Sequence, residues 1–313
     1  MAYAISACVA VHTITKEPSA LDLACEAFTW LEKFSHDRQH GGYMTFLNQD
    51  GSIISDPEHN PLKTPLDTIG VQIGLKDTNV HSDLLETLTI LYHIWPDSTL
   101  EARLHEVLDI MSSRTCLASG ALSFLCQPDW KPIPYITRYG TAFQTVSRLL
   151  DLQNLLKASS QLVPISHVPI AQRLMDFCLR YGWDQQMGGF FYASPAALPM
   201  DIEGYDLVVR RKSWWVQFEA LKALLSLSMV LQDNERYLRY FKAQWHYIQS
   251  CLLDREQGGT YSVGLDSLSN LQKQHTVISA STEHTEKSNV WKDAYHDGFA
   301  LHYCIKALHK KVT

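Results

Sequence analysis

The sequence has little of what marks several protein classes. Only 19% of its 313 residues are charged and the formal net charge is −6, without a basic block, so a nucleic-acid-binding protein is not expected. With 15 Gly and 12 Pro, it is neither collagen-like nor linker-rich. No run of about 18 uncharged apolar residues occurs, so no membrane-spanning helix and no membrane partner are expected. The 46% of hydrophobic residues exclude a disordered chain and suffice for a large core.

Cysteine is present but forms no recognisable framework. The seven cysteines are irregularly spaced, and no C-x-x-C pair occurs, so neither a disulfide scaffold nor a cysteine-based zinc site is predicted. Buried thiols in a reducing compartment are expected instead, which predicts a cytoplasmic protein. The apolar stretch 4–11 lacks the basic flank of a signal peptide and is interpreted as a helix that begins at Met1.

A short pattern, D-x-x-x-G-G, occurs three times. Its glycine pairs begin at Gly41, Gly188 and Gly258, the last two 70 residues apart and the first two about twice that distance. A degenerate copy at 119–124 lies near the missing midpoint, which indicates a repeat of about 70 residues. Glycine supplies the helix end and the positive-φ turn, so we interpret the pattern as turn chemistry without a function of its own.

Between these turns, apolar residues recur at helical spacing. The spacing predicts helices around 84–92, 143–150 and 215–224, which with the N-terminal helix make four, each paired with a second helix. These second helices are predicted near 19–34, 100–113, 168–179 and 236–252, and a ninth helix near 290–309. A ring of helical hairpins needs an integral number to close, or apolar edges stay exposed. The pattern therefore predicts one all-α domain over residues 1–313, short of helices at its N-terminus.

Several segments resemble one family. Residues 212–220 are similar to the K-x-W-W-x-Q-x-E-A helix start of the N-acylglucosamine 2-epimerase and cellobiose 2-epimerase superfamily. Residues 291–297 resemble its W-K-x-x-Y-H-N segment, and 76–96 resemble its K-x-x-N-T-H-x-H-x-L-E … Y-x-x-W-P stretch. The opening Tyr3-Ala4-Ile5 resembles Y-x-I-Y-A-L of an earlier family helix. The segments follow the family order and cover essentially the whole chain.

The resemblance implies an (α/α)6-type barrel of twelve helices, with short β-hairpins in loops and a sugar pocket at one mouth. About three N-terminal helices, one of which carries a substrate-binding Arg in the family, would be absent here. The implied activity is that of a sugar 2-epimerase or aldose–ketose isomerase acting on a mono- or disaccharide. Its chemistry needs no metal, nucleotide or other cofactor. A homodimer is one oligomeric state that the resemblance leaves open.

Both reactions start from the open-chain sugar and remove a proton beside the carbonyl, which gives an enediolate. Epimerisation needs a base on one face of C2 and an acid on the other, whereas isomerisation moves a proton between C1 and C2. Imidazoles suit both tasks because their unperturbed pKa of ~6.5 lies near the operating pH. The resemblance implies that His296 and His81 are catalytic. It implies substrate-binding roles for Asn79, Asp83, Tyr139, Trp215, Glu219 and Trp291.

Within that set, the resemblance makes Trp215 and Trp291 stacking platforms. It makes Glu219 either an acceptor for sugar hydroxyls or the residue that orients a histidine. Asp83 stands where the family has a second His. Packing and helix capping are the competing interpretations of these residues.

Residues 139–147 depart from the family pattern Y-G-H-x-x-E-x-x-W. Thr141, Gln144 and Ser147 replace its His, Glu and Trp, and the family His is the second catalytic imidazole. Threonine cannot act as a base at neutral pH without help. The alternative is therefore a catalytically impaired relative that binds sugar or protein, although another imidazole such as His284 could substitute.

A third hypothesis is a glycoside hydrolase or lyase on a similar helical barrel. Such an enzyme needs two carboxylates that face one bond. Glu219 with Asp83 or Asp297 is the only pair that the sequence offers.

Overall fold

The chain divides into two compact units in a computed structural model. Unit 1 comprises Met1–Leu117, Ser123–Tyr135 and Asp151–Ile165, and unit 2 comprises Ala118–Leu122, Ile136–Leu150 and Ser166–Thr313. The structure describes residues 1–56, 58, 60, 64–66, 71–133, 136–158, 166–197, 201–202, 205–231, 235–266 and 286–312. A single domain over residues 1–313 stays a prediction.

Nine α-helices occur among the described residues, the number that the sequence predicts. They are α1 (Ala2–Thr15), α2 (Pro18–Phe34), α3 (Thr78–Ile94), α4 (Ser98–Asp109), α5 (Tyr139–Ala158), α6 (Val168–Tyr181), α7 (Trp214–Val230), α8 (Glu235–Tyr247) and α9 (Tyr295–Val312). One π-helical turn extends α4 over Ile110–Arg114, and another extends α8 over Ile248–Leu252. The second helices predicted from apolar spacing match α2, α4, α6 and α8 to within a few residues.

The last helix begins later than its apolar spacing predicts. The side chain of Asn289 accepts the backbone N–H groups of Trp291 and Lys292, which closes a turn before the helix. Asp293 then accepts the backbone N–H of Tyr295 at 2.8 Å, in the manner of a helix N-cap. This turn makes His296 the second residue of α9.

Seven strands of two residues each occur among the described residues. They are β1 (Lys76–Asp77), β2 (Leu125–Cys126), β3 (Pro132–Ile133), β4 (Thr137–Arg138), β5 (Ala193–Ser194), β6 (Asp201–Ile202) and β7 (Tyr205–Asp206). In unit 1, β2 pairs antiparallel with both β1 and β3. In unit 2, β4 pairs antiparallel with β5, and β6 with β7. Two of these pairs, β2–β3 and β6–β7, are short β-hairpins of the kind predicted for the loops, whereas β1–β2 and β4–β5 join segments that are far apart in the sequence.

Unit 1 is built on a helical hairpin of α1 and α2, with α3 packed on α1 and α4 packed on α3. Asp77 caps α3 by accepting the backbone N–H of Asn79 at 2.5 Å. Asp97 caps α4 in the same way. Leu84, Leu85 and further apolar residues of α3 are buried, so the helix is fixed along its length and presents its first turn at a defined place.

In unit 2, the helix α7 forms the core. It is apolar on nearly all sides, and α6, α8 and α9 all pack against it. The last helix presents Ala300, Cys304 and Ala307, which recur at helical spacing and are buried in the same cluster as Phe218 and Leu221 of α7. This packing brings the beginnings of α7 and α9 within reach of each other.

A lysine fastens each of the three glycine turns. Its ammonium group donates to the aspartate of the D-x-x-x-G-G pattern and to the carbonyl oxygen of the first glycine. The three sets are Lys76 with Asp37 and Gly41, Lys212 with Asp184 and Gly188, and Lys287 with Asp254 and Gly258. Both glycines of each turn have φ between +72° and +78°, which explains why the pattern needs glycine. The turns therefore have a structural role, as the sequence predicts. Each lysine also ties its turn to the later segment in which the lysine lies.

The second lysine, like the first, is fully buried, and its carboxylate partners are buried with it. Lys212 is 0% exposed and donates to Asp184 at 2.7 Å and to Asp266 at 2.8 Å. The hydroxyl of Tyr247 donates to the other oxygen of Asp266 at 2.7 Å. Burial alone would raise the pKa of Asp184, but the hydrogen bond from Lys212 holds it below its usual value. The cluster fixes the residue that lies two positions before α7.

Candidate active site

The first turns of α7 and α9 bring three sequence-predicted residues together in unit 2. Trp215 and Glu219 are four residues apart and share one face of α7. The Nδ1 atom of His296 lies 2.7 Å from Oε1 of Glu219. The ring centroids of Trp215 and His296 are 5.5 Å apart. A carboxylate, an imidazole and an indole thus share one site.

The contact with Glu219 decides which nitrogen of His296 is available. A carboxylate only accepts hydrogen bonds, so Nδ1 carries the proton that is donated to Glu219. The neutral ring then has its lone pair on Nε2. The side chain of His296 is 18% exposed, whereas that of Glu219 is 9% exposed. The hydrogen bond to the buried carboxylate of Glu219 therefore fixes the tautomer of His296 and leaves Nε2 able to act as a base.

Trp215 is held against the start of α5. A Cβ atom at Gly140 would lie 2.0 Å from Cζ3 of Trp215, so only glycine allows this approach. On another side, the ring of Tyr192 meets Trp215 edge-on, with centroids 6.0 Å apart. These contacts fix the plane of the indole, which is what a stacking platform for a sugar ring requires.

Two other predicted residues of unit 2 make different contacts. Tyr139 is fully buried, donates its hydroxyl to Ser194 at 2.7 Å, and has a pKa that burial raises well above its usual value. Trp291 lies in the turn before α9 and is 61% exposed. Neither the hydrogen bond of Tyr139 nor the exposure of Trp291 supports substrate binding, so both substrate-binding roles stay predictions. Asp297, named in the hydrolase hypothesis, accepts the hydroxyl of Thr260 at 3.1 Å.

In unit 1, the backbone engages both nitrogens of His81. Its Nδ1 atom lies 2.7 Å from the carbonyl oxygen of Asp77, and its Nε2 atom accepts the backbone N–H of Tyr43 at 2.9 Å. The side chain is completely buried, and desolvation lowers its pKa to about 4. His81 is thus a neutral ring that holds the first glycine turn, and these contacts give its predicted catalytic role no support.

The repeat explains the role of His81. The fifth residue after the lysine is His81 in the first copy and Gln217 in the second. Oε1 of Gln217 accepts the backbone N–H of Phe190 at 2.8 Å, as His81 does for Tyr43. Both aromatic residues directly follow a glycine pair. Comparing the two copies in the sequence would have revealed that this position holds an acceptor for the turn.

Replacing His81 with Gln is expected to keep the protein folded and to make its stability less dependent on pH. The ring of His81 binds protons less readily when folded than when unfolded, so its contribution to stability is lost as the pH falls from about 6.5 to about 4. The loss should amount to about 3 kcal/mol. Urea unfolding between pH 7 and pH 4 should show a flatter pH dependence for His81→Gln than for the wild type. An equally steep dependence in the variant would contradict this structural role.

Asn79 and Asp83 lie in the first turns of α3, and the hydroxyl of Tyr3 in α1 donates to Oδ2 of Asp83 at 3.0 Å. The second and sixth residues of α3 are thus Asn79 and Asp83, where α7 has Trp215 and Glu219. Their substrate-binding roles stay predictions. The sequence presents Tyr3 only as part of a motif, and the signal for its contact with Asp83 is its position as the second residue of α1.

The described residues hold no group of three or more His, Cys, Asp or Glu side chains arranged to bind a metal ion. All seven cysteines lie in described segments and carry free thiols. Burial raises the pKa of Cys126 to about 11, so this thiol is unreactive at neutral pH. None of the helices described is both long and apolar enough to cross a bilayer. His284 lies outside the described residues.

Solved structures share this fold. The cellobiose 2-epimerase of Bacillus thermoamylovorans B4167 is 18% identical, with a TM-score of 0.76, over 97% of this chain and 70% of that chain. The cellobiose 2-epimerase of Spirochaeta thermophila DSM 6192 is 21% identical, with a TM-score of 0.75, over 100% of this chain and 70% of that chain. A D-mannose isomerase has a TM-score of 0.73 at 19% identity, over 99% of this chain and 70% of that chain. The predicted fold class, an α/α-barrel type with few short strands, is therefore confirmed.

Sequence comparison identifies the family to which the chain belongs. A cellobiose 2-epimerase of Bacteroides fragilis is 22% identical over 305 residues, which cover 95% of this chain and 67% of that protein. The family model of N-acylglucosamine 2-epimerase matches residues 71–279, well over half of the chain. The chain belongs to the N-acylglucosamine 2-epimerase family, as its motifs indicate.

Proposed function

We propose that this chain is a carbohydrate 2-epimerase or aldose–ketose isomerase that moves a proton beside the open-chain carbonyl of a mono- or disaccharide. The observation that carries the proposal is the His296–Glu219 pair beside the indole of Trp215. The family membership of the chain supports a sugar substrate. The residues in contact supply a base, a group that orients it and an apolar platform.

The geometry suggests how the reaction would run. Nε2 of His296 takes the proton from C2, and the electron pair of that C–H bond forms the enediolate, whose negative charge rests on the former carbonyl oxygen. Glu219 accepts the hydrogen bond from Nδ1–H, which stays on the ring, and stabilises the imidazolium that forms. Transfer of the O2 hydroxyl proton to O1 and return of the proton from Nε2 to C1 together give the ketose. Return of a proton to the other face of C2 gives the epimer and needs a second acid.

The first alternative is a relative that binds sugar without turnover. Thr141 favours it, because it stands at the position of the second family imidazole and is buried in α5. The hydrolase hypothesis has less support: the partner of Glu219 at 2.7 Å is an imidazole rather than a second carboxylate.

Proton NMR in D2O separates these functions. We would incubate the full chain with mannose, glucose, N-acetylmannosamine and cellobiose in turn. Deuterium at C2, or a new ketose, supports the proposal. Saturable binding without exchange would favour the binding relative, and release of new reducing ends would favour the hydrolase. An absence of exchange with all four sugars would contradict the proposed activity for this substrate class.

Changing Thr141 to His is expected to raise epimerase activity about tenfold or more, because it restores an imidazole where the family has one. The ratio of epimer to ketose, measured by NMR, should rise with it. Thr141→Val, which fills the same space without a proton-transfer group, is the control. A loss of activity in both variants would show instead that Thr141 itself is needed.

The remaining properties are proposals of the same kind. We propose that the protein works in the cytoplasm, because its cysteines are free thiols. We also propose that it folds as one domain and works without a metal or other cofactor. A homodimer is the assembly to test by light scattering.

A further inference from the structure

A third side chain reaches the acid that orients His296. Nε2 of Gln144, in α5, donates to Oε1 of Glu219 at 3.3 Å. The same oxygen lies 2.7 Å from Nδ1 of His296. Gln144 is 3% exposed, and its side chain meets the carboxylate inside the protein. One oxygen of Glu219 therefore accepts two hydrogen bonds.

The amide of Gln144 can satisfy Glu219 in only one orientation. Rotating the amide by half a turn would place its carbonyl oxygen against the carboxylate, where two acceptors repel each other. In the observed orientation, Oε1 of Gln144 is buried and has no hydrogen-bond partner among the residues that the structure describes. An unpartnered buried oxygen is costly, but the opposite orientation would leave that oxygen facing the carboxylate, so the observed orientation is the better of the two for Glu219.

The residue type at position 144 also determines how many negative charges lie beside His296. A glutamate there, as in the family pattern, would place a second carboxylate beside Glu219, and two adjacent carboxylates tend to share a proton. A shared proton would weaken Glu219 as an acceptor for His296. Glutamine has nearly the same shape, adds no charge and supplies the N–H that the second carboxylate lacks. Gln144 thus fits a site that depends on one imidazole and one carboxylate.

We propose that Gln144 is a positioning residue: its amide holds Glu219 in the orientation that keeps the proton of His296 on Nδ1 and leaves Nε2 free. This proposal rests on the proposed function for its kinetic consequence. Gln144 does not touch the reacting atoms, and it acts through Glu219 alone. The structure thereby assigns a role to a residue at which this chain departs from its family.

The test uses two variants and a matched control in the full chain. Gln144→Leu removes the amide at similar volume, and Gln144→Glu keeps the shape but loses the donor. Both should lower kcat about tenfold at neutral pH and leave KM within about twofold. Ser147→Ala is the control, since the hydroxyl of Ser147 lies one turn further along α5, is buried, and has no partner among the described residues. It should leave kcat unchanged.

Nitrogen-15 NMR of the histidine rings gives a second readout, with the signals of His296 assigned by their loss in His296→Ala. The wild type should show one tautomer, protonated at Nδ1, and Gln144→Leu should show a mixture. An unchanged kcat together with an unchanged tautomer would overturn the proposal. If Gln144→Leu does not fold, Gln144→Glu decides by the same measurements. If the wild type catalyses no exchange, the proposed function fails, but the tautomer still tests the role of Gln144.

Discussion

Replacing His296 with alanine is expected to abolish the exchange of the C2 proton, with a loss of about 10² to 10⁴ in rate. The reason is geometric: His296 is the imidazole that meets both Glu219 and Trp215, and its Nε2 atom is the only ring nitrogen left for a substrate. Sugar binding should persist, because the indole platform is unchanged. Deuterium exchange followed by NMR measures the first effect, and titration calorimetry measures the second.

The control for this prediction lies on the same helix. His302 is an exposed histidine further along α9, and His302→Ala should leave exchange unchanged. Glu219→Gln keeps the imidazole of His296 but orients it less well. Its exchange rate should therefore fall by less than that of His296→Ala. Full exchange in His296→Ala would end the catalytic assignment.

Replacing Lys212 with methionine is expected to cause the largest loss of stability. Its ammonium group is 0% exposed and neutralises Asp184 and Asp266, which are themselves buried. Removing one partner of a buried ion pair leaves an uncompensated charge and costs about 3 to 5 kcal/mol. For a chain of this size the midpoint of thermal unfolding should fall by roughly 5 to 8 °C. Differential scanning calorimetry measures the shift.

Lys287→Met is the matched control, because Lys287 makes the corresponding contacts with Asp254 and the carbonyl oxygen of Gly258. Its side chain is 32% exposed, so water screens the charges and the contact contributes little. The midpoint should hardly move. Equal shifts in the two variants would show that burial is not what makes Lys212 important.

Much of the fold could be predicted from the sequence, because its signals are local. Apolar spacing places the second helices, and glycine pairs mark the turns that follow them. Apolar spacing predicts a start of α9 that is about five residues too early, because it does not reveal the turn that the side chain of Asn289 closes. Local patterns predict that an element exists better than they predict where it begins.

The candidate site could be predicted in part. The K-x-W-W-x-Q-x-E-A segment identifies Trp215 and Glu219, and the Y-H segment identifies His296, but their contact depends on the packing of α9 on α7. For His81 the sequence leaves two roles open, because the same residue type serves as a base and as a buried acceptor. The catalytic role stays a prediction, and only the structure reveals the two backbone partners of the ring. The bond between Gln144 and Glu219 joins two helices 75 residues apart, and no spacing rule reveals it.

The repeat affects how the sequence of such a chain can evolve. Counting from the fastening lysine, the fifth residue holds the turn, whereas the third and seventh residues are Asn79 and Asp83 in one copy and Trp215 and Glu219 in the other. The residue that holds the turn and the residues predicted to bind substrate therefore occupy different positions of the same helix start. Mutation can exchange the residues at one set of positions and leave the other intact, so a lineage can acquire a new specificity without redesigning its scaffold.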